Sequence, residues 1–133
     1  MLIVDYGLVG HEYYHRSRSD GTLVCHYRHR AHSDPFLYPG LQDISAWVDF
    51  SACARTATAA GLDVAGFTTQ GQFLLEGGAA EFLQRSTGRA SLAQAQAFKT
   101  MILPGEMGER FKLLLLTRGV RATLPGRDFR DRL

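Results

Sequence analysis

Short apolar runs that could each form one buried strand recur along the chain, and segments with a helical pattern separate them. The first run is Leu2–Val4, with Asp5 directly behind it, and later runs are "LDVAGF" from residue 62 and "RFKLLLLTR" from residue 110. Small apolar residues recur at helical spacing over residues 48–60, with Asp49 as N-cap and Gly61 as stop, and again in "LAQAQAFKTMIL" after the expected cap Ser91. This order predicts an α/β fold with parallel strands, right-handed crossovers and helices on the faces of the sheet.

The segment "TLVCHYRH", residues 22–29, is rich in β-branched and aromatic residues, which predicts a second strand. On one continuous strand, His26 and His32 face one side and His29 faces the other. Histidines at this spacing do not converge on one zinc ion, so we predict no metal site. The stretch "HEYYHRSR", residues 11–18, predicts a short helix.

The composition narrows the classes of function. The 133 residues carry 15 basic and 13 acidic side chains, and the formal net charge of +2 argues against a dedicated nucleic-acid binder. The two cysteines, Cys25 and Cys53, indicate a reducing, cytoplasmic setting. The four residues before Asp5 are too few for a signal peptide or a membrane span, so we expect no membrane association.

Six motifs occur in a fixed order: "DYG", "EYYH", "GTLVCHYRHRAHSDPF", "PGLQDISAWVDF", "GFTTQGQFL" and "PGEMGERFK". Together they resemble the MidA-like family of S-adenosylmethionine-dependent methyltransferases, whose mitochondrial members methylate an arginine of a respiratory complex I subunit during assembly. The resemblance covers residues 1–118 and implies the C-terminal half of a methyltransferase domain. Its fold would be a partial Rossmann-like (class I methyltransferase) sheet, mostly parallel with a final antiparallel strand. Residues 119–133 form a polar, arginine-rich tail that we expect to be loosely held.

The resemblance also implies a glycine-rich G-x-G-x-G turn in the whole domain, where the backbone approaches the cofactor closely. None of the 14 glycines here has another glycine two positions away. We therefore expect this chain alone to bind S-adenosylmethionine weakly or not at all and to be inactive. Trp47 stands where the family often has histidine, which argues against a proton-handling role at that position.

Two carboxylates are the catalytic candidates if the substrate is an arginine, as the resemblance implies. Asp5 follows the first apolar run and could hold a guanidinium by paired hydrogen bonds, or could cap the turn behind it. Glu12 could take the proton released as the guanidinium is methylated, with Tyr13, Tyr14 and His15 beside it. Alternatively, these four side chains are half-buried packing residues with polar tips.

Further polar residues near the predicted rim of the sheet are candidates for substrate binding. His29 and Arg30 could orient pocket loops or bind an acidic segment of the substrate, or could simply be hydrogen-bonded structure. Asp43 could instead be a helix N-cap. The full set of substrate-binding candidates is Tyr6, Tyr13, His15, His29, Arg30, Gln42 and Asp43.

The resemblance implies an S-adenosylmethionine-dependent methyltransferase that acts on an arginine of a protein. The alternative is a non-catalytic assembly or interaction module that lacks the cofactor-binding half. The apolar strand Leu2–Tyr6 needs a neighbour from the missing N-terminal half or from a second copy, so we expect association through this edge. A nucleic-acid binder that uses Arg28, Arg30 and the arginines of the tail would disagree with the modest net charge.

Overall fold

The structure is a computed structural model that describes residues 1–87 and 92–133. Its strands are β1 (Leu2–Leu8), β2 (Val24–Tyr27), β3 (Arg30–His32), β4 (Asp43–Ser45), β5 (Val48–Asp49), β6 (Asp63–Thr69) and β7 (Phe111–Thr117). Its helices are α1 (Gly10–Tyr13), α2 (Phe50–Ala59), α3 (Gln70–Glu76), α4 (Ala79–Thr87), α5 (Leu92–Ile102) and α6 (Met107–Arg110). Ser91, the expected cap of α5, lies outside the described residues. Within the two described ranges, no helix is both long and apolar enough to cross a membrane.

The main sheet has four strands in the order β5-β1-β7-β6. β1 pairs parallel with β5 and antiparallel with β7, and β6 also pairs antiparallel with β7. Three strands therefore run in one direction and the last runs against them, which confirms the α/β fold with a final antiparallel strand. Leu113, Leu114 and Leu116 are each at most 3% exposed. A strand that is apolar on both faces is stabilised inside a sheet, which explains why β7 lies between two neighbours.

The core lies between the main sheet and α2. Phe50 begins α2 and is 0% exposed, and its ring centroid lies 5.5 Å from that of Phe67 on β6. Asp49 caps the helix, because its Oδ1 accepts the N–H of Ala52 at 2.9 Å. Gly61 follows the helix with a φ of +77°, which only glycine adopts freely. Both ends of α2 therefore agree with the prediction from the sequence.

Gly7 allows β5 to approach β1. A Cβ atom at this position would lie 2.3 Å from the carbonyl oxygen of Val48 and 2.8 Å from a ring carbon of Phe50, so any larger residue would overpack the contact. β5 pairs only with Gly7 and Leu8. The residues of β1 before Gly7 thus have no strand on that side within the part of the chain that the structure describes.

The free edge of β1 exposes backbone hydrogen-bonding groups. Met1 and Leu116 exchange both of their backbone hydrogen bonds, at 2.7 and 2.9 Å. In an antiparallel pair the bonding direction alternates, so the N–H and C=O groups of Leu2 and Val4 point away from β7. Leu2 is 47% exposed and Val4 is 49% exposed. This edge is therefore apolar as well as unpaired.

The segment predicted as one strand over residues 22–29 contains β2 and a turn, and β2 forms a hairpin with β3. β2 and β3 pair antiparallel around a turn at Arg28 and His29, whose φ angles are +46° and +63°. Non-glycine residues enter this left-handed region at a cost, so neither residue signals a turn in the sequence. Cys25 pairs with His32 and His26 pairs with Ala31. His26 and His32 therefore lie on opposite faces, contrary to the prediction.

β2 belongs to a second sheet rather than to the main one. This sheet has three strands in the order β3-β2-β4, and all its pairs are antiparallel. Its strands are three or four residues long; a two-residue turn joins β2 to β3, and the loop over residues 33–42 leads from β3 to β4. Antiparallel strands need only a tight turn between them, whereas a place in the parallel part of the main sheet would need a crossover.

The segment 119–133 packs against the main sheet, so the prediction of a loosely held tail is wrong. The N–H of Phe129 donates to the carbonyl of Phe67 at 2.7 Å, which satisfies an edge group of β6. Asp128 Oδ2 accepts a hydrogen bond from Arg130 Nε at 2.6 Å. Partial burial acts to raise the pKa of Asp128, but hydrogen bonds from Arg130 and Phe67 together hold it below its ordinary value. The polar residues of the tail are thus partners for the sheet edge.

Candidate functional site

A groove opens where the carboxyl ends of β1 and β6 meet the start of β7. Its larger part is a cavity of about 460 Å³ that Leu8 and Thr69 help to line. An adjoining cavity of about 350 Å³ shares Trp47 and Arg110 with it, and we call the two joined cavities the groove. Strands that run in the same direction end at the same edge of a sheet, which is where open α/β sheets bind ligands.

Glu12 lies in the larger cavity and is held by two arginines. α1 follows β1 almost directly and carries Glu12 to this position. Glu12 Oε1 accepts a hydrogen bond from Arg132 Nη2 at 3.0 Å, and the Glu12 carbonyl accepts one from Arg18 Nη1 at 2.5 Å. The side chains of Glu12 and Arg132 are 32% and 43% exposed. A carboxylate in this cavity therefore already binds a guanidinium group.

A lysine lies close to this ion pair. Lys112 on β7 is 8% exposed, and its Nζ donates to the carbonyl of Glu109. Burial lowers the pKa of Lys112, the charges of Glu12 and Glu109 act to raise it, and the charge of Arg132 lowers it further. Glu12, Lys112 and Arg132 thus interact as one group of charges within the larger cavity.

Aromatic side chains line the smaller cavity. Tyr6 and Phe111 are cross-strand partners on β1 and β7, and their rings meet edge to face with centroids 5.7 Å apart. Trp47 lies where the two cavities join, and its backbone N–H donates to Thr22 Oγ1 at 3.3 Å. Aromatic rings attract guanidinium groups through their faces. The groove thus combines a carboxylate with aromatic walls.

The structure separates the two predicted catalytic residues. Glu12 lines the larger cavity, and the predicted substrate-binding residue Tyr6 lines the smaller one. Asp5 lines neither. Its Oδ1 accepts the N–H of Tyr6 at 2.8 Å, which is a local capping contact of the kind weighed as its alternative role. Asp5 therefore satisfies a backbone group at the free edge of β1.

Tyr13 and His15 make local contacts. Tyr13 Oη accepts a hydrogen bond from Thr22 Oγ1 at 3.2 Å, and Tyr13 packs edge to face on Tyr14 with centroids 5.0 Å apart. His15 Nδ1 lies 2.8 Å from Ser17 Oγ. Neither residue lines the groove. Tyr13 is half-buried, in agreement with the packing alternative, whereas His15 is exposed.

Residues 11–15 also spell H-E-Y-Y-H, which has the spacing of a zinc-binding helix. That chemistry needs both histidines one turn apart on the same helix face. Here α1 ends at Tyr13, and His15 has an extended backbone with φ −63° and ψ 142°. Over residues 1–87 and 92–133, no three His, Cys, Asp or Glu side chains are grouped so that they could hold a metal ion.

The remaining predicted residues lie on or beside the second sheet. His29 is in the hairpin turn and Arg30 begins β3. Gln42 Nε2 donates to the carbonyl of Pro35 at 2.5 Å. Asp43 begins β4, so it is not a helix N-cap. These four candidates do not join Glu12 in the groove.

Three residues of the groove, Trp47, Lys112 and Arg132, were not predicted as site residues. Lys112 is the one charged residue within the apolar strand "FKLLLLT", and that interruption is a signal that could have identified it. In the sequence, Trp47 is notable only as a departure from the family pattern. Arg132 carries no local signal, because it is 120 residues from Glu12 in the sequence and reaches it only through the packing of the tail.

A family model described as "Putative S-adenosyl-L-methionine-dependent methyltransferase" matches residues 1–68, which is 68 of the 133 residues. The chain is 31% identical over 135 aligned positions to a protein of Drosophila melanogaster named protein arginine methyltransferase NDUFAF7 homolog, mitochondrial. That alignment covers 91% of this chain and 27% of the Drosophila protein.

Two crystal structures of proteins from Burkholderia thailandensis are similar to this chain. Each has 46% sequence identity to it, over 95% of the length of this chain. One is a candidate methyl transferase bound to S-adenosyl-homocysteine, with a TM-score of 0.85, and the chain covers 35% of it. The other is a protein of the same superfamily with a TM-score of 0.86, of which the chain covers 36%. The chain thus spans about a third or less of the length of these relatives. Because the family model matches just over half of its residues, the chain belongs to this family of S-adenosyl-L-methionine-dependent methyltransferases, as its motifs predicted.

Proposed function

We propose that this chain is the substrate-holding part of an S-adenosylmethionine-dependent protein arginine methyltransferase, and that the groove binds the substrate arginine. The observation that carries the proposal is the contact at 3.0 Å between Glu12 and the guanidinium of Arg132. Arg132 then stands in for the guanidinium of a substrate. The name of the Drosophila relative supports an arginine substrate, and its activity is extended here only as a proposal.

The groove offers what a guanidinium needs. A carboxylate can accept paired hydrogen bonds from its planar N–H groups, which fixes its orientation. The aromatic side chains of Tyr6, Trp47 and Phe111 can cover its faces. Methylation of a guanidinium nitrogen releases one proton from that nitrogen, and the Glu12 carboxylate is placed to accept it.

The methyl donor does not fit the residues of this chain by themselves. The sequence has no glycine pair with one-residue spacing that could let the backbone approach the cofactor. We therefore assign binding of the methyl donor to the additional sequence that the longer relatives have. We propose that residues 1–133 alone are inactive.

Titration with N-acetyl-arginine amide tests this proposal on the chain as it is. Arg132→Ala removes the guanidinium that occupies Glu12, so this variant should bind the ligand about two- to fivefold more tightly than the wild-type chain. Adding Glu12→Gln to Arg132→Ala should abolish the gain. Chemical-shift changes in two-dimensional NMR spectra would report both the affinity and the place of binding.

N-acetyl-citrulline amide is the matched control, because it has nearly the same shape as the arginine ligand but no charge. It should bind all three proteins equally weakly. Equal binding of both ligands to Arg132→Ala, or unchanged arginine binding after Glu12→Gln, would contradict a guanidinium site at Glu12.

The second candidate function is a non-catalytic interaction module. Two features favour it: the edge of β1 is open and apolar, and the sequence has no G-x-G-x-G turn. The two functions differ in what precedes Met1 in the gene. An in-frame segment with a glycine-rich turn would support the enzyme, whereas a stop codon directly upstream would support the module.

We expect the chain alone to self-associate and to bind S-adenosylmethionine weakly. Leu2 and Val4 expose an unpaired edge that a second β1 strand can join. Light scattering should show species larger than a monomer, and Val4→Lys should reduce them because a charge blunts the edge. Val120→Lys is the matched control, since Val120 is 64% exposed and lies beside Asp63 and Val64 of β6, on the other side of β7 from β1. A strictly monomeric protein with micromolar cofactor affinity by calorimetry would refute this expectation.

A further inference from the structure

The second sheet has a cavity of its own, separate from the groove. The hairpin of β2 and β3 and the loop over residues 33–42 enclose about 560 Å³. Tyr27, Arg28, Arg30, His32 and Tyr38 line it. Neither the proposed arginine site nor any of its residues extends to this cavity, so its chemistry needs a separate explanation.

The cavity is positively charged and lacks counter-charges. Arg28 and Arg30 are both exposed, and over residues 1–87 and 92–133 neither forms an ion pair with a carboxylate. Arg28 lies over the ring of Tyr27, with its guanidinium carbon 5.4 Å from the centroid. Tyr27 and Tyr38 stack with centroids 4.3 Å apart and planes inclined by 26°. Two guanidinium groups are thus presented beside an aromatic wall.

His32 adds an unused donor to the same cavity. Both of its ring nitrogens are buried without a hydrogen-bond partner. An imidazole carries at least one N–H in either charge state, and a buried N–H without an acceptor is uncommon in proteins. The ring of Tyr38 packs edge to face against the ring of His32, with centroids 5.9 Å apart. Because Tyr38 lies beside the imidazole, a shift of Tyr38 would let an acceptor reach this N–H.

The backbone of the hairpin turn is held in a costly conformation. Arg28 and His29 both have positive φ, at positions where tight hairpins ordinarily have asparagine and glycine. Such conformations cluster at binding and catalytic sites, where a ligand contact can account for them. Across the hairpin Arg30 pairs with Tyr27, so Arg28 follows that pair directly in the turn, and both arginines line the cavity.

We propose that this cavity binds an acidic segment of a polypeptide. Carboxylates match the two unpaired guanidinium groups and can accept the free N–H of His32, and the tyrosine wall gives the segment an apolar surface. A nucleic acid fits less well, because base stacking needs an open ring face and the ring of Tyr27 is already engaged by Tyr38 and Arg28. The net charge of +2 also leaves little general attraction for a phosphate backbone.

Fluorescence anisotropy with a labelled octaglutamate peptide tests the proposal on the whole chain. The wild-type protein should bind it at low salt, and an octaglutamine peptide should bind much more weakly. Arg28→Glu combined with Arg30→Glu should weaken octaglutamate binding about tenfold or more, because two charge-assisted contacts become repulsive.

The matched control is Arg55→Glu combined with Arg121→Glu, which changes the net charge equally at exposed positions outside this cavity. An equal loss in both double variants would overturn the proposal in favour of general electrostatic attraction. Tighter binding of a single-stranded oligonucleotide than of octaglutamate, lost in the Arg28 and Arg30 variant, would overturn it in favour of nucleic acid. Circular dichroism would show that each variant is folded, and Tyr38→Ala gives a second test that leaves the charge unchanged.

Discussion

A Phe50→Ala variant is expected to lose about 3–5 kcal/mol of its free energy of unfolding relative to the wild-type chain. Phe50 is 0% exposed, packs against Phe67 and lies beside Gly7 at the junction of α2 and the sheet. The truncation removes buried apolar surface and leaves a cavity that the surrounding backbone cannot fill completely. Urea denaturation followed by circular dichroism would show a lower midpoint with an unchanged slope.

Phe36→Ala is the matched control, because Phe36 is 84% exposed and the chemical change is the same. Its effect should stay within about 0.5 kcal/mol, as is usual at exposed positions. A loss below about 1 kcal/mol for Phe50→Ala would mean that α2 does not pack on the sheet as described here.

Glu12→Gln is expected to lower kcat/KM for methyl transfer to an arginine peptide about 10- to 100-fold, in a protein that joins this chain to the rest of the length that its relatives have. The amide keeps the size of the side chain but loses the charge that holds a guanidinium. The 32% exposure of the Glu12 side chain lets water screen part of the contact, so we expect a smaller effect than for a buried pair. Radiolabelled methyl transfer measures the activity, and calorimetry measures cofactor affinity, which should change little.

Asp5→Asn makes the same chemical change outside the groove. Comparing it with Glu12→Gln distinguishes the roles of the two carboxylates that the sequence suggests for catalysis. Because Asp5 accepts the N–H of Tyr6, this variant should alter stability more than methyl transfer. Equal losses of activity in both variants would restore the paired role predicted from the sequence. Full activity of Glu12→Gln would exclude Glu12 from the reaction.

The sequence by itself determined the elements whose signals are local. The apolar runs of β1, β6 and β7 and the small residues of α2 predict strands and a helix because burial periodicity is a property of neighbouring residues. The cap at Asp49 and the stop at Gly61 are equally local. Motif order over the same region was enough to indicate the methyltransferase family.

Only the tertiary structure decided where residues far apart in the chain meet. The hairpin turn at Arg28 and His29 has no turn-forming residue, so only the pairing of β2 with β3 and β4 reveals it. The tail looked solvent-exposed because its residues are polar, yet its backbone satisfies the edge of β6. That packing brings Arg132 to Glu12 across 120 residues of sequence. Such a contact depends on the sum of all the packing between its two ends, and no local pattern of residues records it.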